Sequence, residues 1–346
     1  MTLKIVQVAN FPLVPKGAGY FGVEWKLSRA FTRLGHNVLN FSDRAMADGA
    51  GFLRIRKLGI PAANRALRLV CREFTPDLLL FGHADLILPE TVAAIREARP
   101  GIRIAQWNVD PLFEPDNVMR IQRKLPVVDV TFVSTDQPVL RQRFGTGVRT
   151  AFMPNPADPA IERHRNFERP TLDADLLLAV GNGRQARHHA GQETTPDAVA
   201  ALIAGRLPSL RCIYGGIGGR PHLFGRAYEE ALGSAAMGLN LSRRGDVPLY
   251  SSDRMAHLAG NGILVVTDRA AGFDTIFSED EMAFYGTEDE MLGHLSRFAA
   301  DAPARMAVAE RGWAAYHRRF GADRIANYML GVIRGETDPE GFPWRD

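Results

Sequence analysis

The sequence predicts two α/β domains in tandem, each built on a parallel sheet. Short, continuous apolar runs alternate with helix-period segments from Leu3 to Met153, as strands covered by helices on both faces do. A polar, proline-bearing connector from Asn155 to Pro170 interrupts the alternation, and the same scheme restarts at Leu176. A chain of 346 residues lets each half bury a core of its own. The expected division is a first domain over residues 1–160, a second over 170–321, and a closing helix with its tail over 322–346.

In chain order, Leu3 to Ala9 reads as a buried strand, followed by a Pro- and Gly-rich loop, Phe11 to Gly19. A helix runs from about Tyr20 to Leu34, with Phe21, Trp25, Leu27, Phe31 and Leu34 as its inner stripe. Gly35 stops it, and His36 to Phe41 is the next strand. Helix Phe52 to Phe74 leads to strand Pro76 to Phe81, and helix Pro89 to Ala98 to strand Arg103 to Trp107. Helix Val118 to Leu125, strand Val130 to Val133, helix Pro138 to Phe144 and strand Thr150 to Met153 complete the first half.

The second half begins with strand Leu176 to Val180, helix Pro196 to Gly205 and strand Arg211 to Tyr214. Helix Tyr228 to Ala236 and strand Met237 to Leu241 follow. Helix Arg254 to Ala259 then meets a Gly-Asn-Gly turn and strand Ile263 to Val266. Helices Glu288 to Ala299, Ala302 to Phe320 and Ala322 to Arg334 close the chain.

A hydrophobic content of 46% with 23% charged residues and no biased tract is that of a soluble globular protein. A net charge of +3 is too mild for a nucleic-acid partner, which demands a concentrated basic face. Cys71 and Cys212 offer neither metal-ligand spacing nor a disulfide framework, so a reducing cytoplasm is expected. No secretory signal is expected, since the chain opens directly on a strand. No apolar run approaches the roughly 20 residues of a membrane helix. The expected location is cytoplasmic, soluble or peripheral at the inner membrane face. Arg65, Arg68 and Arg72 line one helix face, either a solvated face or a membrane contact.

Parallel α/β sheets receive ligands at the carboxyl ends of their strands, so the residues there are the candidates. Gly17, Ala18 and Gly19 lie between the first strand and the first helix. Gly17, Gly19 and Gly22 satisfy Gly-x-Gly-x-x-Gly, but the loop before them is too long for the tight turn of a dinucleotide fingerprint, and no cofactor is expected. Asn108 and Asp110 follow the strand ending at Trp107; Asp110 is either a general base or sugar anchor, or the start of an Asp-Pro turn. His83 stands after the preceding strand with the same two readings.

In the second half, Gly181 and Asn182 turn the chain towards Arg184 and Arg187. Those guanidinium groups either neutralise a diphosphate leaving group or form a solvated basic loop with His188 and His189. Gly215 opens a second glycine run. Ser251, Ser252, Arg254, His257 and Asp274 cluster at the ends of the unit Tyr250 to Phe277, which is either a nucleotide pocket or a purely structural turn. No Cys, His and carboxylate set has metal-ligand spacing, so no metal is expected.

Several of these stretches together resemble the GT-B glycosyltransferases. They are closest to the family-4-like group (glycosyl transferases group 1) that includes the CgeB-like spore-protein branch. Pro15-Lys-Gly-Ala-Gly-Tyr followed by Leu34-Gly-His-Asn-Val resembles that group's glycine loop and second strand. Pro154-Asn-Pro-Ala-Asp is similar to its linker entrance, and Gly238-Leu-Asn-Leu-Ser-Arg to its Leu-Asn-x-x-Arg strand. Arg254-x-x-His-x-x-x-x-Gly262 resembles its Arg-x-x-Glu-x-x-x-x-Gly signature, with His257 in place of the glutamate that grips the donor ribose.

The resemblance implies two Rossmann-like domains facing across a cleft, with the last helix crossing back to the first domain. It implies a nucleotide-sugar donor held by the second domain and a glycan, lipid-linked or protein acceptor held by the first. Transfer would be metal-independent and retaining. Asp110, Arg184 and Arg187 would be catalytic. Gly17, Ala18, Gly19, Gly181, Asn182, Gly215, Ser251, Ser252, Arg254, His257 and Asp274 would bind the donor, and His83 and Asn108 the acceptor. The rival readings are a nucleotide-sugar epimerase or hydrolase on the same scaffold, and a non-catalytic glycan- or nucleotide-binding relative. A role in cell-surface polysaccharide biosynthesis is the expected setting.

Overall fold

The structure is a computed structural model that describes residues 2–11, 19–51 and 55–338. The chain forms two compact units. One runs through Pro154 and takes in Ala322 onward; the other is Asn155–Gly321.

In the first unit, β1 (Lys4–Ala9), α1 (Val23–Arg33), β2 (Asn37–Ser42), α2 (Asp43–Ala50) and α3 (Arg56–Phe74) lead to β3 (Leu78–Phe81). Then come α4 (Pro89–Ala98), β4 (Arg103–Asn108), α5 (Pro115–Lys124), β5 (Val130–Val133), α6 (Gln137–Phe144) and β6 (Thr150–Phe152). The six strands pair in parallel in the order β2-β1-β3-β4-β5-β6. Ile5, Val6, Val8, Leu79, Leu80, Phe81 and Ile104 are almost wholly buried, because helices cover both faces of the sheet.

The helix expected over Phe52 to Phe74 is α3, and a further helix not read from the sequence, α2, precedes it directly after β2. Ser42, at the end of β2, caps α2 through Oγ, which accepts from the Ala45 amide at 3.3 Å. Gly59 lets α3 close on α2, since a Cβ there would lie 1.9 Å from the Ala47 carbonyl oxygen. Gly17 and Ala18, with the rest of the loop from Pro12, fall outside the described residues.

The second unit carries β7 (Ala174–Ala179), β8 (Arg187–His189), β9 (Gln192–Thr194), α7 (Pro196–Arg206), β10 (Cys212–Gly215) and α8 (Gly225–Ser234). It continues with β11 (Ala235–Asn240), α9 (Arg254–Gly260), β12 (Leu264–Asp268), β13 (Ala283–Tyr285), α10 (Glu288–Ala300) and α11 (Ala302–Phe320). Its sheet is also parallel, in the order β10-β7-β11-β12-β13. Two features are absent from the sequence reading: the edge strand β13 and the antiparallel hairpin β8–β9. The hairpin turns on Ala190 and Gly191, both at positive φ, a pair less conspicuous than the usual Asn-Gly.

The connector belongs to the second unit from its first residue. The Ala157 amide donates to the Phe320 carbonyl at 3.0 Å, and the Asn155 amide nitrogen donates to the Ser251 carbonyl at 3.0 Å. These bonds put residues 155–160, expected in the first domain, with the second. The last helix, α12 (Ala322–Arg334), packs on α1, where Arg33 Nε pairs with Asp323 at 3.0 Å. Tyr328 also meets Phe132 edge-on.

In both units the chain lays its second strand beside the first on one side, then crosses to the other. The crevice at such a reversal opens at the carboxyl ends of the two strands it separates. It lies between β1 and β3 in the first unit and between β7 and β11 in the second.

Candidate functional site

At the reversal point of the second unit, Arg254 spans the crevice. Its Nε donates to the carbonyl of Ala179, the last residue of β7, at 2.7 Å, and its Nη1 to that of Leu241, just past β11, at 3.1 Å. A guanidinium fork matches two such acceptors where a lysine would reach one. Arg187 lies close by, only 5% exposed, its side chain without a hydrogen bond or ion pair to any described residue. Burial, then the charges of Arg254 and Arg243, hold its pKa down to about 10. It therefore stays cationic at neutral pH.

Local structure fixes Arg187 firmly. As the first residue of β8, it points inward while His188 on the other face is half-buried. The His188 amide donates to the Arg243 carbonyl at 3.1 Å, and its carbonyl accepts from Gly245 at 3.0 Å. His189 Nδ1 meets the Tyr285 hydroxyl at 2.9 Å, and the Ala190 amide donates to Asp268 Oδ2 at 2.8 Å. A buried cation on a strand anchored in this way, with further cations around it and no carboxylate paired to it among the described residues, is complementary to an anion. Ser252 Oγ, in the loop leading to Arg254, is likewise buried and without a partner among the described residues.

The structure sorts the remaining second-half candidates. Arg184, Gly181 and Asn182 form an exposed turn after β7, with Asn182 Oδ1 accepting from the Arg184 amide at 2.9 Å. The basic-loop reading holds in form for Arg184; Arg187 is instead on a strand. Gly215 is buried at the end of β10 against Leu223.

Three donor candidates have structural employment instead. His257 is 2% exposed, and its Nδ1 meets Glu162 Oε1 at 2.8 Å, so its ring joins α9 to the connector rather than presenting an edge to a ribose. Ser251 is 4% exposed, with its carbonyl held by Asn155. Asp274, exposed past β12, pairs with Arg269 at 3.2 Å.

In the first unit, a cavity of about 240 Å³ opens at the carboxyl ends of β1, β3 and β4, lined by Asn10, Glu24, Arg44, His83, Asp110 and Arg120. His83 Nδ1 lies 3.6 Å from Asp110 Oδ2, and Arg120 Nη1 lies 3.8 Å from the same carboxylate. Arg44 pairs with Asp85 at 3.1 Å. Burial lowers the pKa of His83 against the opposing pull of Asp110 and Asp85, so the ring favours its neutral form. Gly82 permits this approach: a Cβ there would lie 2.3 Å from the Trp107 ring. The Trp107 indole N–H, also at the cavity, is buried without a partner among the described residues.

Asn108, expected at the acceptor, is part of the scaffold. Its amide exchanges two hydrogen bonds with Asn117, at 2.7 and 3.0 Å, and its Oδ1 accepts from the Asp110 amide at 2.9 Å. It shapes the turn that carries Asp110. Gly19 is half-buried and starts the turn into α1, its carbonyl accepting from the Gly22 amide at 3.0 Å.

The sequence reading did not single out Arg44, Arg120 or Lys124. Lys124 donates to the Ala84 carbonyl at 2.8 Å beneath the His83 loop, with burial bringing its pKa down to about 8. In sequence it is one of two ordinary cations in the last turn of α5. Arg243, quoted only within a strand motif, stands beside Arg187.

Residues 184–331 match the family model described as glycosyl transferase-like. No curated protein matches the chain. Among solved structures, HepE from Anabaena in complex with UDP and glucose superposes with a TM-score of 0.60 at 12% identity, covering 96% of this chain and 100% of its own. AviGT4, a glycosyltransferase involved in avilamycin A biosynthesis, gives 0.60 at 17% identity over 96% and 97%. A putative UDP-N-acetylglucosamine 2-epimerase from Listeria monocytogenes gives 0.56 at 13% identity over 99% and 100%. At these identities the likeness is one of fold. The chain thus has the GT-B fold, two Rossmann-like units, with a glycosyl transferase-like match over residues 184–331.

Proposed function

We propose that this protein is a glycosyltransferase whose second unit holds a nucleotide-sugar donor by its diphosphate. One observation carries the reading: Arg187, buried and without an acidic partner among the described residues, beside Arg254 at the carboxyl ends of β7 and β11. In the reaction an acceptor hydroxyl bonds to the anomeric carbon while the bond from that carbon to the diphosphate oxygen breaks, and the hydroxyl proton passes to the departing diphosphate. Negative charge grows on the departing diphosphate, where fixed guanidinium groups stabilise it most. The exposed Arg184 and Asn182 and the hydroxyl of Ser252 surround the same crevice in this reading.

The first unit receives the acceptor. Asp110 and neutral His83 accept hydrogen bonds from its hydroxyl groups, and the Trp107 N–H donates one. The acceptor is a glycan, a lipid-linked sugar or a protein. Retention of anomeric configuration and independence of a bound metal come with the resemblance to family 4, the arginines supplying the positive charge. A uridine diphosphate sugar heads the list of donors, since HepE is seen with UDP and glucose.

Calorimetric titration with UDP-, GDP-, ADP-, dTDP- and CMP-sugars tests the proposal. Binding of one class, weakened in Arg187→Met, is the expected result; no binding by any of them overturns it. The Listeria likeness also keeps an epimerase in view. Incubation of the bound donor without acceptor separates the two, because an epimerase converts its donor alone.

A further inference from the structure

We infer that the outer face of α3, with the groove between α3 and α4, docks on an anionic phospholipid surface. The groove is a cavity of about 430 Å³. Four arginines rim it, Arg65, Arg68, Arg72 and Arg99, around a floor of Leu69, Ala94, Ile95 and Ala98. Arg72 pairs with Glu73 at 2.8 Å and Arg99 with Asp77 at 3.3 Å. Arg65 and Arg68 are exposed and have no acidic partner among the described residues.

The groove continues along the helix. Over its 19 residues, α3 carries Arg56, Lys57, Arg65, Arg68 and Arg72 against the single acid Glu73. Arg56 is neutralised by Asp48 at 2.7 Å. Leu58 and Leu69 are 57% and 43% exposed, and Ile55, at the helix entry, is 48% exposed. Leu58, Arg65, Leu69 and Arg72 recur at intervals of three, four and seven, so they share one face. An exposed helix face that mixes large apolar side chains with unneutralised cations fits a membrane interface, where headgroup phosphates meet the guanidinium groups and acyl methylenes meet the leucines. A free phosphate would use the arginines but leave the apolar floor without a partner. Nucleic acid would do the same.

The inference does not depend on the donor site, and its test is kept separate. Wild type and Arg65→Ala/Arg68→Ala are sedimented with vesicles of phosphatidylglycerol and phosphatidylcholine, and with pure phosphatidylcholine vesicles. Ala is the best helix former, and unchanged helical circular dichroism and melting temperature confirm that the variant folds. Wild type is expected to partition onto the anionic vesicles only. Each arginine near a charged surface contributes roughly a fivefold factor in partitioning, so the double variant should bind about 25-fold more weakly. Leu58→Ser/Leu69→Ser should reduce binding that persists at high salt, where the electrostatic part is screened. Failure to bind anionic vesicles, equal binding to both vesicle types, or undiminished binding by the arginine variant overturns the inference. So does competition of the vesicles by millimolar inorganic phosphate or by double-stranded DNA with no effect of the leucine substitutions.

Discussion

Replacing Arg187 with methionine should make the protein more stable and a poorer binder of its ligand at once. Arg187 is 5% exposed, and its pKa falls from the ordinary guanidinium value to about 10 through burial and the neighbouring Arg254 and Arg243. That depression corresponds to about 3 kcal/mol by which the folded state disfavours the charged form. The sign follows from linkage. The unfolded chain binds the proton more tightly, so the penalty is fully present at neutral pH and is relieved only as pH rises from about 10 to 12.5. Substitution removes it without alkali.

Methionine keeps the unbranched stem and fills irregular space well, so most of the gain should survive, about 2 kcal/mol net. For a unit of this size that is a rise of roughly 4–8 °C in melting temperature. Charge-assisted hydrogen bonds contribute about 1.5–3 kcal/mol, so nucleotide-sugar affinity should drop roughly 10- to 100-fold. Scanning calorimetry with and without ligand reads both effects, because ligand stabilisation follows from its affinity. A variant that melts lower than wild type in the absence of ligand, yet binds as tightly, refutes the account of Arg187 as a cation waiting for an anion.

Stability should fall as pH drops below about 6.5, the unfolded histidine value, because burial lowers the pKa of His36, His83, His164 and His189 in the folded state. The contribution is complete above that value and is lost as pH falls through each lowered pKa; urea titrations from pH 5 to 8 with His83→Gln should show a shallower acid slope than wild type. Glu162→Ala should cost about 3–5 kcal/mol, since it strands His257 of a buried pair. Nucleotide affinity of the folded fraction should be unchanged; a stable variant with lost affinity would return His257 to the ligand site.

Elements were legible wherever the cause was local. Apart from the three-residue edge strand β13, the strands of both sheets were read as apolar runs, and Gly35 ends α1 because its φ of 85° suits glycine. The helix α2 was not legible, since Ser42 serves as both the last strand residue and the cap. The β8–β9 hairpin escaped because Arg187-His188-His189 has no apolar signal: its inward residues are an arginine and a histidine held by partners far along the chain. Asp110 and His83 were recognised from their position after strands, and Arg254 from the serine pair and signature at the start of its helix; all three sit at carboxyl ends. Asn108 was recognised by the strand rule and His257 by the signature, yet both are hydrogen-bonded within the fold.

Sequence alone determined that two parallel sheets form and that polar residues gather at their carboxyl ends, because strand length, apolar content and turn chemistry act between near neighbours. Only the tertiary structure decided which of those polar groups are free for a ligand. That depends on pairing across long separations: Glu162 reaches His257 over 95 residues, whereas no acid among the described residues pairs with Arg187. A buried polar group with a partner is satisfied within the fold, and a charge buried without a partner costs stability until an anion arrives.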